Sequence, residues 1–297
     1  MTRSISLTAA VKLRRVQMKM LKARFLGYEL LLFLKELLKR NNNLPNHYLF
    51  NQAVADRADL AKKILVIVIA SDRGLAGSFD LNIFRQAESI IADLDKSQFD
   101  LGLIGRKAKN HFKKRGFEPI FAFEHFENVI TKSDITELIE FLKKALIKNI
   151  YSRVAVIYNN FYSVLKQKVE VVDLYPFSFE TFDRQLENII PRQGMFSDQA
   201  KVKPTVGRFE YLIEPSPEKV LPTVLELAFS YLIYLIILEA NSAEQAARLI
   251  TMQRAFENAS EMMFETKLVY NKLRQGQITR ELLEIVSGSS QSINDLV

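Results

Sequence analysis

The residues best placed for chemistry are Ser71-Asp72-Arg73-Gly74-Leu75-Ala76-Gly77-Ser78. They follow the β-branched apolar run Ile64–Ala70 and precede a helical pattern from about Asn82 to Leu94. A glycine-rich turn at a helix N-terminus offers backbone N–H groups and a positive dipole end to a phosphate. The loop lacks the Lys-Ser/Thr of a P-loop and the third glycine of a dinucleotide fingerprint. A structural turn is the reading its residues favour, and phosphate binding is the alternative. Elsewhere the reactive side chains are scattered. His47, His111 and His125 stand too far apart for a histidine metal cluster, and Asp72 forms no recognised spacing with His111 or His125. No paired-carboxylate or nucleophile motif appears. The chain has no cysteine, which excludes disulfides and thiolate metal sites. No catalytic, cofactor-binding or metal-binding residue is assigned. The basic run Arg106-Lys107, Lys109, Lys113-Lys114-Arg115 reads as a solvated helix face, with a partner contact as the alternative.

The elements around that loop alternate strand and helix. Ile64–Ala70, Phe99–Ile104 and Arg153–Tyr158 read as strands, with Lys166–Tyr175 as an edge strand. Lys107–Arg115 and Ile135–Lys148 read as helices. The alternation predicts an open, doubly wound α/β sheet. The aperiodic segment Glu187–Arg208 reads as a loop.

Both ends of the chain are helical. Ala9, Leu13, Val16, Met20, Ala23, Gly27, Leu30, Leu34 and Leu37 step alternately by four and three, the repeat of a coiled coil. Ala23 and Gly27 are small enough for a partner to approach closely. Asn41-Asn42-Asn43-Leu44-Pro45 then breaks the helix. Near the other end Leu249, Met252, Phe256, Ala259, Met263, Thr266, Tyr270 and Leu273 repeat the pattern. Ser216-Pro217-Glu218 marks a helix start and Gly288 a stop, so about 70 residues would extend roughly 100 Å. Matching seams at opposite ends predict an antiparallel pair. The fold expected is therefore α/β: a coiled coil of the terminal helices plus a central doubly wound domain. Its segments are 1–58, 59–212 and 213–297.

Charge is concentrated at one end. The chain carries +7, while residues 1–40 hold ten Lys/Arg against two Glu, a local surplus of eight. The remainder is therefore near neutral at −1. An acidic partner for the first helix follows: nucleic acid, an anionic membrane or an acidic protein surface. The acid-free stretch 1–28 loosely fits a transit peptide, but its apolar spacing continues into a structural helix. The apolar stretch Leu227–Leu238 is shorter than the ~20 residues of a membrane span and reads as a buried helix segment, with no direct membrane insertion.

The same loop carries a family resemblance. Ser71-Asp72-Arg73-Gly74-Leu75-Ala76-Gly77 resembles the SDRGLCG signature of F-type ATP synthase gamma subunits, with Ala76 in place of Cys. Tyr270 through Gly288 is similar to the family's YNxxRQxxITxELxEIVxG motif, and Ser242–Arg248 resembles its SEQAAR element. Ile104–Lys107 with Lys114-Arg115-Gly116 is similar to its next strand and helix. Thr2–Arg15 is similar to ITKAMEMVAASKLRR. The segment Phe121–Leu212 matches the family loosely.

The resemblance implies a central rotor subunit, not itself an enzyme, that transmits torque between a catalytic alpha/beta hexamer and a second assembly. Its implied partners are the alpha and beta subunits, whose acidic catch loops push on the shaft, with the epsilon subunit and membrane c-ring, and no nucleic acid. No cofactor is implied. The place implied is the cytoplasmic face of the cell membrane within a peripheral complex. Arg274 and Gln275 match the family's contact pair, and Ile5 its contact methionine. Family members carry further residues before the Thr2–Arg15 element, including a basic pair and a TQK motif. The expectation is a misassigned start or a divergent paralogue with a shortened first helix. A nucleotide-binding α/β enzyme, a basic-helix nucleic-acid binder and a rotor not coupled to ion translocation are the alternatives.

Overall fold

A computed structural model describes residues 2–40, 47–49, 62–124, 135–177 and 213–294. The chain begins with helix α1 (Thr2–Arg40). The α/β unit follows as β1 (Lys63–Ile69), α2 (Phe79–Ala92), β2 (Phe99–Ile104), α3 (Arg106–Lys114), β3 (Phe121–Phe123), α4 (Thr136–Ile147), β4 (Tyr151–Phe161) and β5 (Gln167–Tyr175). Helix α5 (Pro217–Asn294) closes the chain with 78 residues. The expected breaker Asn41–Pro45, His125 and the loop Glu187–Arg208 lie outside the described residues.

The sheet runs β3-β2-β1-β4-β5. Strands β1 to β4 are parallel, and β5 pairs antiparallel on β4 at the edge. Residues 65–69 of β1 are buried on both faces, which is why the run is apolar throughout and does not alternate. From β1 the chain winds outward to β2 and β3, then crosses to β4 on the other side of β1. That reversal makes the C-terminal edge between β1 and β4 the topological switch point, where open α/β folds bind their ligands.

Helices α1 and α5 pair antiparallel. Gly27 faces Tyr231 and Leu235, and Arg24 faces Glu239, so falling numbers on one helix meet rising numbers on the other. The α1 seam is as the spacing predicts: Ala9, Leu13, Val16, Met20, Ala23, Leu34 and Leu37 are buried, with Leu30 partly so. Gly27 matters for packing, because a Cβ there would sit 3.3 Å from the Tyr231 ring.

The α5 seam differs from the one expected. Met252 is buried, but Met263, Tyr270 and Leu273 are 67%, 62% and 69% exposed. The register explains it: Ala9 falls close to Met252, so α1 runs out near residue 260. The apolar repeat beyond that point has no helix of the described residues alongside. The part of α5 that α1 covers is earlier, from about Leu221 to Met252, where the apolar stretch Leu227–Leu238 is almost wholly buried, Leu227 being half exposed. The helix also continues through Gly288 to Asn294 rather than stopping there, because a single glycine costs a helix only ~1 kcal/mol.

Candidate functional site

Helix α5 lies across the switch point. After β1, Ser71 and Asp72 are buried, and their polar atoms bind α2 and α3. Asp80, in the first turn of α2, accepts the Ser71 N–H (2.9 Å) and the Ser71 hydroxyl (2.6 Å). The Asp72 carboxylate accepts the Arg106 N–H at 2.9 Å and the Ser71 carbonyl the Lys107 N–H at 3.0 Å, so the turn caps the first backbone donors of α3. Gly77 has φ +62, and a side chain there would meet the Thr251 hydroxyl of α5 at 2.9 Å. The turn therefore lies hard against the helix.

The space beside the carboxyl ends of β1 and β2 is filled. A cavity of only about 10 Å³ remains between Ile69, Phe79 and Ile104 on the sheet side and Ile237, Asn241 and Glu244 of α5. That is room for roughly one water, far from the 300–1,000 Å³ of a small-molecule site. Gly77 thus faces α5, while a Cβ at Gly74 would meet the Lys107 Nζ of α3 at 3.5 Å. Among the described residues, the space left between this end of the sheet and α5 is too small for a phosphate.

Two polar ties hold α5 there. The first joins three elements that sequence reading left unconnected. Arg24 of α1 donates from Nε to the Glu239 carboxylate of α5 at 3.0 Å and from its second nitrogen to the Phe161 carbonyl of β4 at 3.0 Å. The Tyr158 hydroxyl donates to the other Glu239 oxygen at 3.0 Å. All three side chains are buried. Burial pushes the Glu239 carboxyl above its ordinary range, against the opposing pull of the Arg24 charge and hydrogen bond and of the Tyr158 hydroxyl. Burial likewise raises the Tyr158 hydroxyl well above its usual value. The sequence did contain a signal: Arg24 sits between Ala23 and Gly27 of the seam, and Glu239 ends an apolar stretch, positions where an unpaired charge would be costly.

The second tie unites two motifs. Arg248 pairs with Glu244 and takes the Gln245 side-chain oxygen at 3.0 Å. It also reaches back to the loop after β1, to the Arg73 carbonyl at 3.4 Å and the Gly74 carbonyl at 3.5 Å. Residues 242–248 therefore dock the 71–78 loop. Burial pushes the Glu244 carboxyl up to about 7, with Arg248 pulling the other way.

The expected contact residues stand apart from this junction. Ile5 is half-buried near the start of α1, whereas Arg274 and Gln275 are exposed on the part of α5 beyond α1. Register places Ile5 level with about residue 257, some 17 residues short of Arg274, or roughly 25 Å along the helix. The structure does not bring them together. The basic face of α3 is partly used internally: Lys109 pairs with Glu124 at 2.7 Å, and His111 and Arg115 both reach Glu88.

The ATP synthase family model matches residues 1–291. The ATP synthase gamma chain of Chloroherpeton thalassium is 30% identical over 295 residues, covering 98% of this chain and 92% of that protein. That of Chlorobaculum parvum is 31% identical over 293 residues, covering 97% and 91%. Among solved structures, a chain of the Tetrahymena thermophila mitochondrial ATP synthase central stalk and c-ring superposes with a TM-score of 0.56 at 20% identity, covering 86% of this chain and 98% of that one. A chain of the Euglena gracilis mitochondrial ATP synthase in rotational state 3 gives 0.53 at 16% identity, covering 96% and 93%.

Proposed function

Because this chain belongs to the ATP synthase gamma chain family, we propose that its paired helices act as a shaft whose α/β unit is the handle through which torque passes. The protein is the central-stalk subunit of an F-type ATP synthase. The observation that carries the mechanical reading is the packing of α5 against the carboxyl ends of β1 and β2, where a cavity of only about 10 Å³ remains. The chain on this reading has no active site and transmits work done by others.

The exposed part of α5, from Glu261 to Ile285, fits an insertion into a sleeve of alpha and beta subunits. Its apolar side chains Met262, Phe264, Leu268 and Leu273 are all more than half exposed. Arg274 and Gln275 there, and Ile5 on α1, are the contacts we assign to those subunits. The opposite end of the coiled coil, with the adjoining end of the α/β unit, is assigned to the epsilon subunit and the c-ring, at the cytoplasmic face of the membrane. Segments 1–58 and 213–297 form the shaft on this view, and 59–212 the handle.

Purification of the tagged chain tests this. Alpha and beta subunits should accompany it, and ATP should turn a bead fixed to the α/β unit when the alpha/beta part is anchored. Recovery of the chain without alpha and beta subunits rejects the assignment. Membrane subunits in the same preparation identify an ion-coupled machine, and their absence from a turning complex a motor driving something else.

A further inference from the structure

Glu239 and Arg248 are nine residues apart on α5. At 100° per residue they are separated by 900°, which is two and a half turns, so they project from opposite sides of the helix. Each is tied to a different part of the same α/β unit. Glu239 is held by the Tyr158 hydroxyl and, through Arg24, by the Phe161 carbonyl, both at the end of β4. Arg248 reaches the carbonyls of Arg73 and Gly74 after β1 at 3.4 and 3.5 Å, a longer and weaker hold. Strands β1 and β4 are neighbours in the sheet, so both anchors are on one rigid body.

Apolar packing alone resists separation of helix and sheet but offers little directional resistance to a helix turning about its own axis. Hydrogen bonds are directional and short-ranged, and they lose strength steeply with misalignment. Two sets on opposite sides of α5 act as a couple: rotation of the helix either way stretches one set or the other. Arg24 extends the first tie to α1, so both helices of the shaft are engaged.

We propose that these two ties form a two-sided torsional key, which makes Arg24, Glu239, Tyr158 and Arg248 positioning residues for torque transfer between shaft and α/β unit. The inference rests on the rotor reading.

The test uses the assembled complex with its alpha/beta part anchored. The chain has no cysteine, so Lys114→Cys, at an exposed site on α3, gives this chain a single thiol for a bead in a complex whose other subunits have had any reactive cysteines replaced. Angular fluctuation of the bead is recorded while a non-hydrolysable ATP analogue stalls the motor. Mean-square fluctuation should rise in Arg24→Gln, by up to about two-fold because the key acts in series with the rest of the shaft, and should rise less in Arg248→Gln, whose contacts at 3.4 and 3.5 Å are longer. Tyr158→Phe, which removes one hydroxyl and keeps the ring, should show a smaller rise and carries the test if Arg24→Gln does not assemble. Ile91→Val, a buried change in α2 away from both ties, serves as the stability control and should leave the fluctuation unchanged. Unchanged fluctuation in assembled Arg248→Gln and Tyr158→Phe overturns the key, as does an equal rise in Ile91→Val. A wild-type complex whose bead does not turn on adding ATP instead rejects the rotor reading itself.

Discussion

Arg24 is a cation placed inside a helix pair, where its removal leaves Glu239 buried without a counter-charge. Breaking such a pair from one side costs about 3–5 kcal/mol, far more than an exposed ion pair at ~0–1. Arg24→Ala should therefore lower the unfolding free energy of the isolated chain by several times the effect of Lys63→Ala, whose pair with Asp100 is partly solvated; urea denaturation measures both. Glu244 supplies a pH test. Its folded value, about 7, lies above the ordinary 4.5. The folded state therefore holds a proton that the unfolded state has released between those limits, and stability from this group falls as pH rises from 4.5 through 7. Glu244→Gln should flatten that part of the stability–pH curve. A curve of unaltered slope between pH 5 and 7 would remove the titration from Glu244.

At the scale of elements, the closeness of α1 and α5 depends on Gly27. With Tyr231 3.3 Å from where a Cβ would lie, a larger side chain forces the helices apart. Gly27→Leu should cost about 1–3 kcal/mol by overpacking, despite leucine's better helix propensity, and thermal melting will show the sign. The end of α5 poses a different problem. From Glu261 to Ile285 every residue is exposed, so burial against the described elements adds little to its backbone hydrogen bonds. A helix of that length without tertiary support is marginal in water. Trypsin should cut the isolated chain first at Lys267, Lys272, Arg274 or Arg280, and the assembled complex should protect these bonds. Early cleavage within α3 instead would mean the projecting helix is stable alone.

For the molecule as a whole, Arg274 and Gln275 separate folding from function. Both are exposed and lie beyond α1, so Arg274→Ala with Gln275→Ala should leave melting temperature and assembly unaltered. In the complex, loss of a charge-assisted contact worth about 1.5–3 kcal/mol should lower ATPase turnover. A double variant with wild-type turnover rejects the contact role, and a collapse of helix content in the isolated chain would assign these residues to helix stability.

Local pattern was enough for much of this protein. Apolar runs and their periods specified β1, β2, β4, the edge strand and both long helices, because strand and helix periodicity are written in nearest neighbours. The α1 seam was legible for the same reason, and the motif at 270–288 already pointed to the family. Tertiary structure decided how far the seam on α5 is used, since register depends on where α1 ends against it. It also decided the role of the glycine turn. Residues 71–78 suit a phosphate as well as a helix face, and only the distant return of α5, bringing Arg248 to the Gly74 carbonyl, distinguishes them. The tie of Arg24 to Glu239 spans 215 positions. Nothing local to either residue names its partner, because burial is a property of the folded surface and a buried charge is satisfied only by whatever the fold brings within about 3 Å.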